Sequence, residues 1–254
     1  MINQLRRHFL SWYSPKAFND GLDKCNRLGM ELLRSKKRKV RLLDVGCGDG
    51  TLTMEFASAA RAIEVYGLEY VDEAIKIARK KGVKVKKQDL NLPWKGIKSD
   101  YFDYVISSQN IEHMHNTRLY LEECYRVLKK GGKVVILTEN LASLTNLSSL
   151  FFGWQPFSLT CIDGFNLGNP LTWHIDTKIN EEFKEKYQLT GVTGTVGHVR
   201  VLAYKGLEEM LKKIGFNKVR AYTRGYLPFY GWMSDLLCRV DRRHGNFLIA
   251  EGVK

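Results

Sequence analysis

Arg41-Leu42-Leu43-Asp44-Val45-Gly46-Cys47-Gly48-Asp49-Gly50 is the stretch that decides the fold. The apolar run from Val40 to Val45, with Arg41 inside it, reads as a buried strand. It ends in three glycines at alternate positions, and a helix-like segment starts at Thr51. Gly46 and Gly48 supply backbone that can turn sharply and lie against a ligand with no Cβ in the way. Such a turn delivers the ligand to a helix N-terminus at the edge of a parallel sheet, where open α/β folds bind nucleotides. Spacing narrows the choice. Dinucleotide-binding turns read G-x-G-x-x-G, whereas this one reads D-x-G-x-G-x-G, with an acid at the strand end and no third glycine placed to cradle a phosphate.

Working outward, helical and strand periods alternate. Phe18, Leu22, Cys25, Leu28 and Leu32 recur at threes and fours, so residues near 15–34 form an amphipathic helix. After the glycine turn, a helix closes over Ala57 to Ala62. Ile63 to Glu69 alternates as a strand, Asp72 to Lys81 is helical, and Val83 to Lys86 is a short strand. Phe102 to Ser107 is the next strand. Leu119 to Leu128 is a helix stopped by Gly131-Gly132, and Val134 to Leu137 is a buried strand. This β-α-β-α order predicts an α/β fold with a parallel, doubly wound sheet. The pattern breaks after Glu139. Residues 140–200 carry Phe151, Phe152, Trp154, Phe157, Trp173 and His174 among glycines and prolines, and read as an aromatic-rich cap rather than an independent domain. Helix Tyr204–Gly215 and strands Lys218–Thr223 and Asn246–Val253 complete the sheet, with an aromatic-rich connection at Gly225–Val240 between them. The organisation is one domain: 1–37 N-terminal helices, 38–140 core, 141–200 cap, 201–254 sheet completion.

The chain's 254 residues suit a single α/β core with such an insertion. Apolar content of 44% and charged content of 26% exclude disordered and fibrous classes. No run approaches the ~20 apolar residues of a membrane span, and Arg6 and Arg7 precede only a short apolar patch, so no signal peptide is expected. Cys25, Cys47, Cys124, Cys161 and Cys238 show no paired spacing, which points to reduced thiols, a cytoplasmic location and no metal site. Forty Lys and Arg against 27 Asp and Glu leave +13. That balance suits an anionic partner such as RNA, a phospholipid surface or an anionic substrate, or else a solvated lysine-rich surface of a heat-adapted protein.

Further residues sharpen the chemistry. Glu69 ends the second strand a little over twenty residues after Gly46, where a carboxylate can accept from a ribose diol. Gln88-Asp89-Leu90 follows the third strand, where Asp89 alone would read as a helix cap. After the fourth strand comes Ser107-Ser108-Gln109-Asn110-Ile111-Glu112-His113-Met114, and Tyr125-Arg126-Val127-Leu128-Lys129-Lys130-Gly131-Gly132 precedes the fifth. With Asp44–Gly50 and Phe102-Asp103-Tyr104-Val105, these runs over residues 38–140 resemble the class I S-adenosylmethionine-dependent methyltransferases. They are closest to the broad small-molecule group that includes ubiquinone- and menaquinone-type enzymes.

The resemblance implies a Rossmann-like sheet of seven mostly parallel strands, the last antiparallel, and S-adenosyl-L-methionine as cofactor. It places Asp44, Gly46, Cys47, Gly48, Gly50, Glu69, Tyr70, Asp89, Leu90 and Gln109 around that cofactor. Asp89 would accept from the adenine amino group, with the next backbone N–H reaching a ring nitrogen. No N/D-P-P-Y/F run follows the fourth strand, so methylation of adenine or glutamine amino groups is not indicated. His113 is a candidate base or a loop strut. His198-Val199-Arg200 followed by Gly215-Phe216 resembles an H-x-R…G-F pattern of related enzymes, which makes His198 and Arg200 candidates on the acceptor side. The expected acceptor is a small molecule, glycan or lipid-type compound, anionic if Arg200 clamps it, with peripheral membrane contact as an option. An RNA-modifying enzyme and a non-catalytic cofactor-binding module are the competing readings.

Overall fold

The computed structural model describes residues 14–34, 39–162, 165–171 and 197–254. Trp173, His174, most of the second half of the expected cap, the first thirteen residues and part of the Arg34–Lys39 basic cluster lie outside the described residues.

Nine strands and seven α-helices are described. Helix α1 (Ser14–Leu33) leads into β1 (Val40–Val45), α2 (Thr51–Ala60), β2 (Ala62–Glu69), α3 (Asp72–Lys80), β3 (Lys84–Lys87) and β4 (Phe102–Ser108). Then come α4 (Thr117–Val127), β5 (Leu128–Glu139), α5 (Leu144–Phe151), the short pair β6 (Cys161–Ile162) and β7 (Phe165–Asn166), α6 (Tyr204–Ile214), β8 (Asn217–Arg224), α7 (Gly231–Val240) and β9 (Phe247–Val253). The main sheet has seven strands in the order β3-β2-β1-β4-β5-β9-β8. β1 to β5 pair in parallel, and β9 runs antiparallel to both β5 and β8. All five parallel strands therefore end on one edge, where the order reverses between β1 and β4.

The two-residue period of a strand sends neighbouring side chains to opposite faces. Leu42 accordingly packs with Leu22, Cys25, Leu28 and Phe56 of α1 and α2, whereas Leu43 packs with Tyr120, Leu121, Leu207 and Leu211 of α4 and α6. Both faces are covered, as a parallel sheet requires.

β3 is an edge strand, and Lys84, Lys86 and Lys87 are exposed along it. Edge lysines discourage strand addition. Lys84 also pairs with Glu64 (3.0 Å) and Lys87 with Asp72 (2.5 Å), and Lys86 bonds the Lys95 carbonyl. This basic run is thus built into the fold's edge, with Lys84 over the Tyr66 ring (5.1 Å) and Lys87 over the Tyr70 ring (5.5 Å).

Two boundaries differ from the sequence reading. α4 ends at Val127, four residues before Gly131, because Leu128 is fully buried and pairs with Phe102 in the sheet. Gly131 and Gly132 lie instead in an irregular part of β5, where the register shifts. A Cβ on Gly132 would stand 2.8 Å from the Lys129 carbonyl oxygen. The Gly225–Val240 connection contains α7, whose Gly231 N–H donates to Asp20 (3.0 Å) on α1. Among the described residues no helix is long and apolar enough to cross a membrane.

Candidate active site

The turn after β1 ties three strand ends together. Gly46 and Cys47 both donate to the Leu68 carbonyl of β2, at 2.8 and 3.1 Å. Gly46 has φ 80°, and a Cβ there would lie 2.1 Å from Asn110 Nδ2. Asn110 Nδ2 donates to the carbonyls of Gly46 (3.2 Å) and Ser108 (3.0 Å), pinning the turn to the end of β4. Gly48 (φ 51°) differs, because a Cβ there would meet nothing within 4 Å. Its face is the open side of the turn, where a ligand can approach. Gly50 faces inward: its missing Cβ admits Ala78 and Val83, which would stand 3.0–3.1 Å away. Cys47 also turns into the core, with Ile75, Ala78, Val83 and Val85, and burial pushes its thiol far above the ordinary range. Cys47 therefore offers a ligand its backbone alone, and Gly50 shapes the turn by packing.

Glu69 closes β2, and its carboxylate accepts from Gly48 N (2.9 Å), Tyr70 N (2.7 Å) and Val71 N (3.0 Å). The acid is oriented by the turn it steadies. Tyr70 is exposed, with Lys87 Nζ 5.5 Å from its ring centroid. Gln88 N donates to the Glu69 carbonyl (2.9 Å), which places Asp89 beside that strand end. Asp89 Oδ1 accepts from Asn91 N (2.9 Å), and Leu92 N reaches the Asp89 carbonyl (3.2 Å), so Asp89 closes a turn rather than capping a helix. Leu90 buries its side chain in the core cluster that includes Trp94, which leaves its main chain for any ligand.

Two buried polar atoms flank the turn without a protein partner, Asp44 Oδ1 and Gln109 Nε2. Thr53 Oγ1 donates to the other Asp44 oxygen at 2.6 Å. Burial raises the Asp44 carboxyl to about 7; the Thr53 bond opposes the rise and the Glu69 charge adds to it. Gln109 holds φ 50°, a left-handed conformation that costs a non-glycine residue about 1–3 kcal/mol, and its N–H is anchored on the Leu137 carbonyl (2.8 Å). An orphan acceptor, an orphan donor and the open Gly48 face of the turn suit a ligand with a cationic amine and a carboxylate. With Glu69 and Asp89 at the adjoining strand ends, the residues fit an amino acid joined to a nucleoside.

A second cluster lies at the ends of β4 and β5. His113, in the 3-10 turn Ile111–His113, has Nδ1 3.0 Å from the Gly197 carbonyl, and His198 has Nδ1 2.7 Å from the Ser158 carbonyl. A carbonyl oxygen only accepts, so each Nδ1 carries the hydrogen and each Nε2 keeps its lone pair. The two ring centroids are 4.9 Å apart. Glu139 Oε2 lies 3.7 Å from His198 Nδ1, too far for a hydrogen bond. Buried Glu112 accepts from Thr138 Oγ1 (2.8 Å), and its backbone carbonyl accepts from Val199 N (2.8 Å) and Arg200 N (2.9 Å). The fold thus brings the His113 and His198 rings together edge-on, 63° apart in plane, across 85 positions of chain. The Arg200 guanidinium is held elsewhere, donating to Thr117 Oγ1 (2.9 Å) at the start of α4. Glu112, His113 and His198 each bring one donor atom to within 4.8 Å of the others. Asn110, Thr53 and Glu139 were not expected at the site. Asn110 and Glu112 stand inside the run quoted for His113, but Glu139 has no local signal, since only the sheet register sets it beside His198.

The sequence family described as "Methyltransferase domain" matches residues 36–185, which include the glycine turn, Glu69, Asp89 and His113. The chain belongs to the class I S-adenosylmethionine-dependent methyltransferases. Among this methyltransferase's relatives, the mitochondrial ubiquinone biosynthesis O-methyltransferase of Rattus norvegicus is 31% identical over 124 residues, 46% of this chain and 35% of the relative. The demethylmenaquinone methyltransferase of Geobacillus sp. (strain WCH70) is 30% identical over 140 residues, 50% of this chain and 57% of the relative. The match thus spans about a third of the rat relative's length and somewhat over half of the bacterial one's. Among solved structures, an S-adenosylmethionine-dependent methyltransferase from Mesorhizobium loti superposes with TM-score 0.57 at 19% identity, covering 92% of this chain and all of that one. A Haemonchus contortus phosphoethanolamine N-methyltransferase in complex with S-adenosylhomocysteine gives 0.55 at 19% identity, covering 90% of this chain and 52% of that one. At these identities the likeness carries the fold alone.

Proposed function

We propose that this methyltransferase methylates a hydroxyl oxygen of an apolar, ring-bearing acceptor of the quinone-precursor class. The observation that carries the reading is the His113–His198 pair, two imidazoles packed edge-on at 4.9 Å, each with Nδ1 on a backbone carbonyl. The names of the quinone-pathway relatives support the acceptor class. When bound, S-adenosylmethionine supplies a methyl group on a positively charged sulfur, already activated toward displacement. The chain's own work is to align the partners, exclude water and manage one proton. Glu69 would hold the ribose hydroxyls and Asp89 the adenine amino group, while Asp44 and Gln109 take the amino-acid end and Gly48 leaves room. His198 Nε2 would accept the acceptor's hydroxyl proton as the new carbon–oxygen bond forms. The Glu139 carboxylate stands 3.7 Å from His198 Nδ1, and His113 stands next in line for the same proton. Residues 141–200 act as the acceptor-facing cap, and the Ser158 and Gly197 carbonyls that orient the two imidazoles belong to it. Arg200, held on Thr117, would meet an anionic acceptor at the rim.

A second reading has its own observation. The Glu112, His113 and His198 donors, within 4.8 Å of one another, have the spacing of a divalent-cation site, and a cation there would hold the acceptor oxygen in place of a free base. One experiment separates the readings. The protein is incubated with methyl-labelled S-adenosylmethionine and, separately, a prenylated dihydroxybenzoate, a water-soluble catechol and total RNA, each with and without EDTA. Label in the prenylated aromatic that survives EDTA is expected. Loss on chelation restored by zinc or another divalent transition metal would give the cluster to a cation, and label confined to RNA would overturn the acceptor class.

A further inference from the structure

Two helices that border the site turn apolar side chains to solvent. The start of α5 and the end of the Asp241–Asn246 loop are joined where Leu144 N meets the His244 carbonyl (2.9 Å) and Asn140 N the Asn246 carbonyl (2.9 Å). In register, Glu139 at the end of β5 and Arg224 at the end of β8 both face Phe247 at the start of β9. α5 and the loops at both ends of α7 therefore spring from the carboxyl edge that carries the glycine turn. On α5 and the residue after it, Leu147, Leu150, Phe151 and Phe152 are exposed, Phe151 to 85%. The Phe151, Phe152 and Trp154 rings follow one another at 5.2–5.3 Å. On α7, Trp232 (74% exposed), Met233, Leu236 and Val240 (79% exposed) fall on one face at helical spacing. Arg239 stands three residues after Leu236 and seven after Trp232, on that same stripe, and exposed Arg242 and Arg243 follow it.

The nearby acids are occupied. Asp235 pairs with Lys24 (2.9 Å), and Asp241 with His244 (2.6 Å) and the Tyr226 hydroxyl (2.6 Å). The face thus combines large exposed apolar groups with arginine charge, on a chain of net charge +13. We propose that these two helix faces dock this methyltransferase on an anionic lipid bilayer, Trp232, Leu236, Phe151 and Phe152 entering the interface while the arginines meet the headgroups. Docking would present the carboxyl edge to the lipid, where a lipid-tailed acceptor resides. For that benefit the inference rests on the apolar-acceptor reading, but its test uses neither acceptor nor methyl donor and so can fail separately.

The test is co-sedimentation of the full chain with phosphatidylcholine vesicles and with vesicles that also contain phosphatidylglycerol, beside sedimentation velocity of the protein alone. Binding to the anionic vesicles, weak on the neutral ones, is expected. The double variants Phe151→Ser/Phe152→Ser and Trp232→Ser/Leu236→Ser should each weaken it at least about tenfold. Arg239→Ala/Arg242→Ala/Arg243→Ala should remove the preference for anionic lipid. These side chains are exposed, so unchanged thermal unfolding of the variants shows that lost binding is not lost fold. No vesicle binding by the wild type, binding indifferent to both double variants, or a wild-type dimer that they dissolve would overturn the proposal, the last giving the face to a second copy.

Discussion

Exchanging His198 for alanine is expected to lower methyl-transfer turnover by about 10²–10⁴-fold, the usual cost of losing a general base, with little change in cofactor affinity. The split follows from placement. His198 is anchored by the Ser158 carbonyl and packs edge-on against His113, whereas the groups that fit the cofactor lie at the ends of β1, β2 and β3 and, with Gln109, just after β4. A residue that takes a proton in the transition state shows in kcat and not in ground-state binding. His198→Asn sharpens the test, because its side-chain N–H can still donate to Ser158 but has no basic nitrogen. It should be about as inactive as the alanine variant. Near-normal turnover in the asparagine variant would leave His198 as a strut of the cap and make His113 the better base. Arg200→Ala should cost less with an uncharged acceptor, which gives that guanidinium no charge to meet.

Glu69→Ala carries the second large effect. Its carboxylate accepts three backbone N–H bonds, one from Gly48 in the middle of the turn, and would also accept from the ribose. Losing a charged acceptor costs about 1.5–3 kcal/mol, so calorimetry should show S-adenosylmethionine binding weakened roughly 10- to 150-fold. Unchanged affinity would sink the assignment. Asp89→Ala, in the same assay, should lose preference for adenosine over inosine forms of the ligand, more so than Asp89→Asn, which can still accept. The assay also has a pH signature. Burial pushes the Asp44 carboxyl up to about 7, and a cationic amine is held by its ionised form. Binding must then expel a proton at lower pH, so affinity should fall as pH drops below about 7 and level off above it.

The parallel half of the sheet was legible because its strands and helices carry long, unambiguous periods. Val40–Val45 runs into a turn whose glycines have only one backbone use, and Leu42 and Leu43 announce two buried faces. The α4–β5 junction misled, since glycine is equally at home after a helix and in an irregular strand. The full burial of Leu128, which chose between them, is a tertiary fact. α7 was hidden because its apolar stripe faces solvent and so looked like loop aromatics. At the site, spacing along the chain revealed Gly46, Glu69 and Asp89 as candidates. It could not say that Gly48 faces open space while Gly50 packs on Ala78. His113 and His198 were each singled out, but their meeting needed the 3-10 turn on one side and the Glu112 carbonyl holding Val199 and Arg200 on the other.

The central claim is that the turn Gly46–Gly50, with Glu69 and Asp89 beside it, holds one molecule of S-adenosylmethionine. Native mass spectrometry of the full chain, incubated with S-adenosylmethionine and with NAD in parallel, tests it most directly. The account predicts one S-adenosylmethionine per chain, none on the Glu69→Ala variant at the same ligand concentration, and no NAD adduct. Binding of NAD in its place, or S-adenosylmethionine binding untouched by Glu69→Ala, would contradict it.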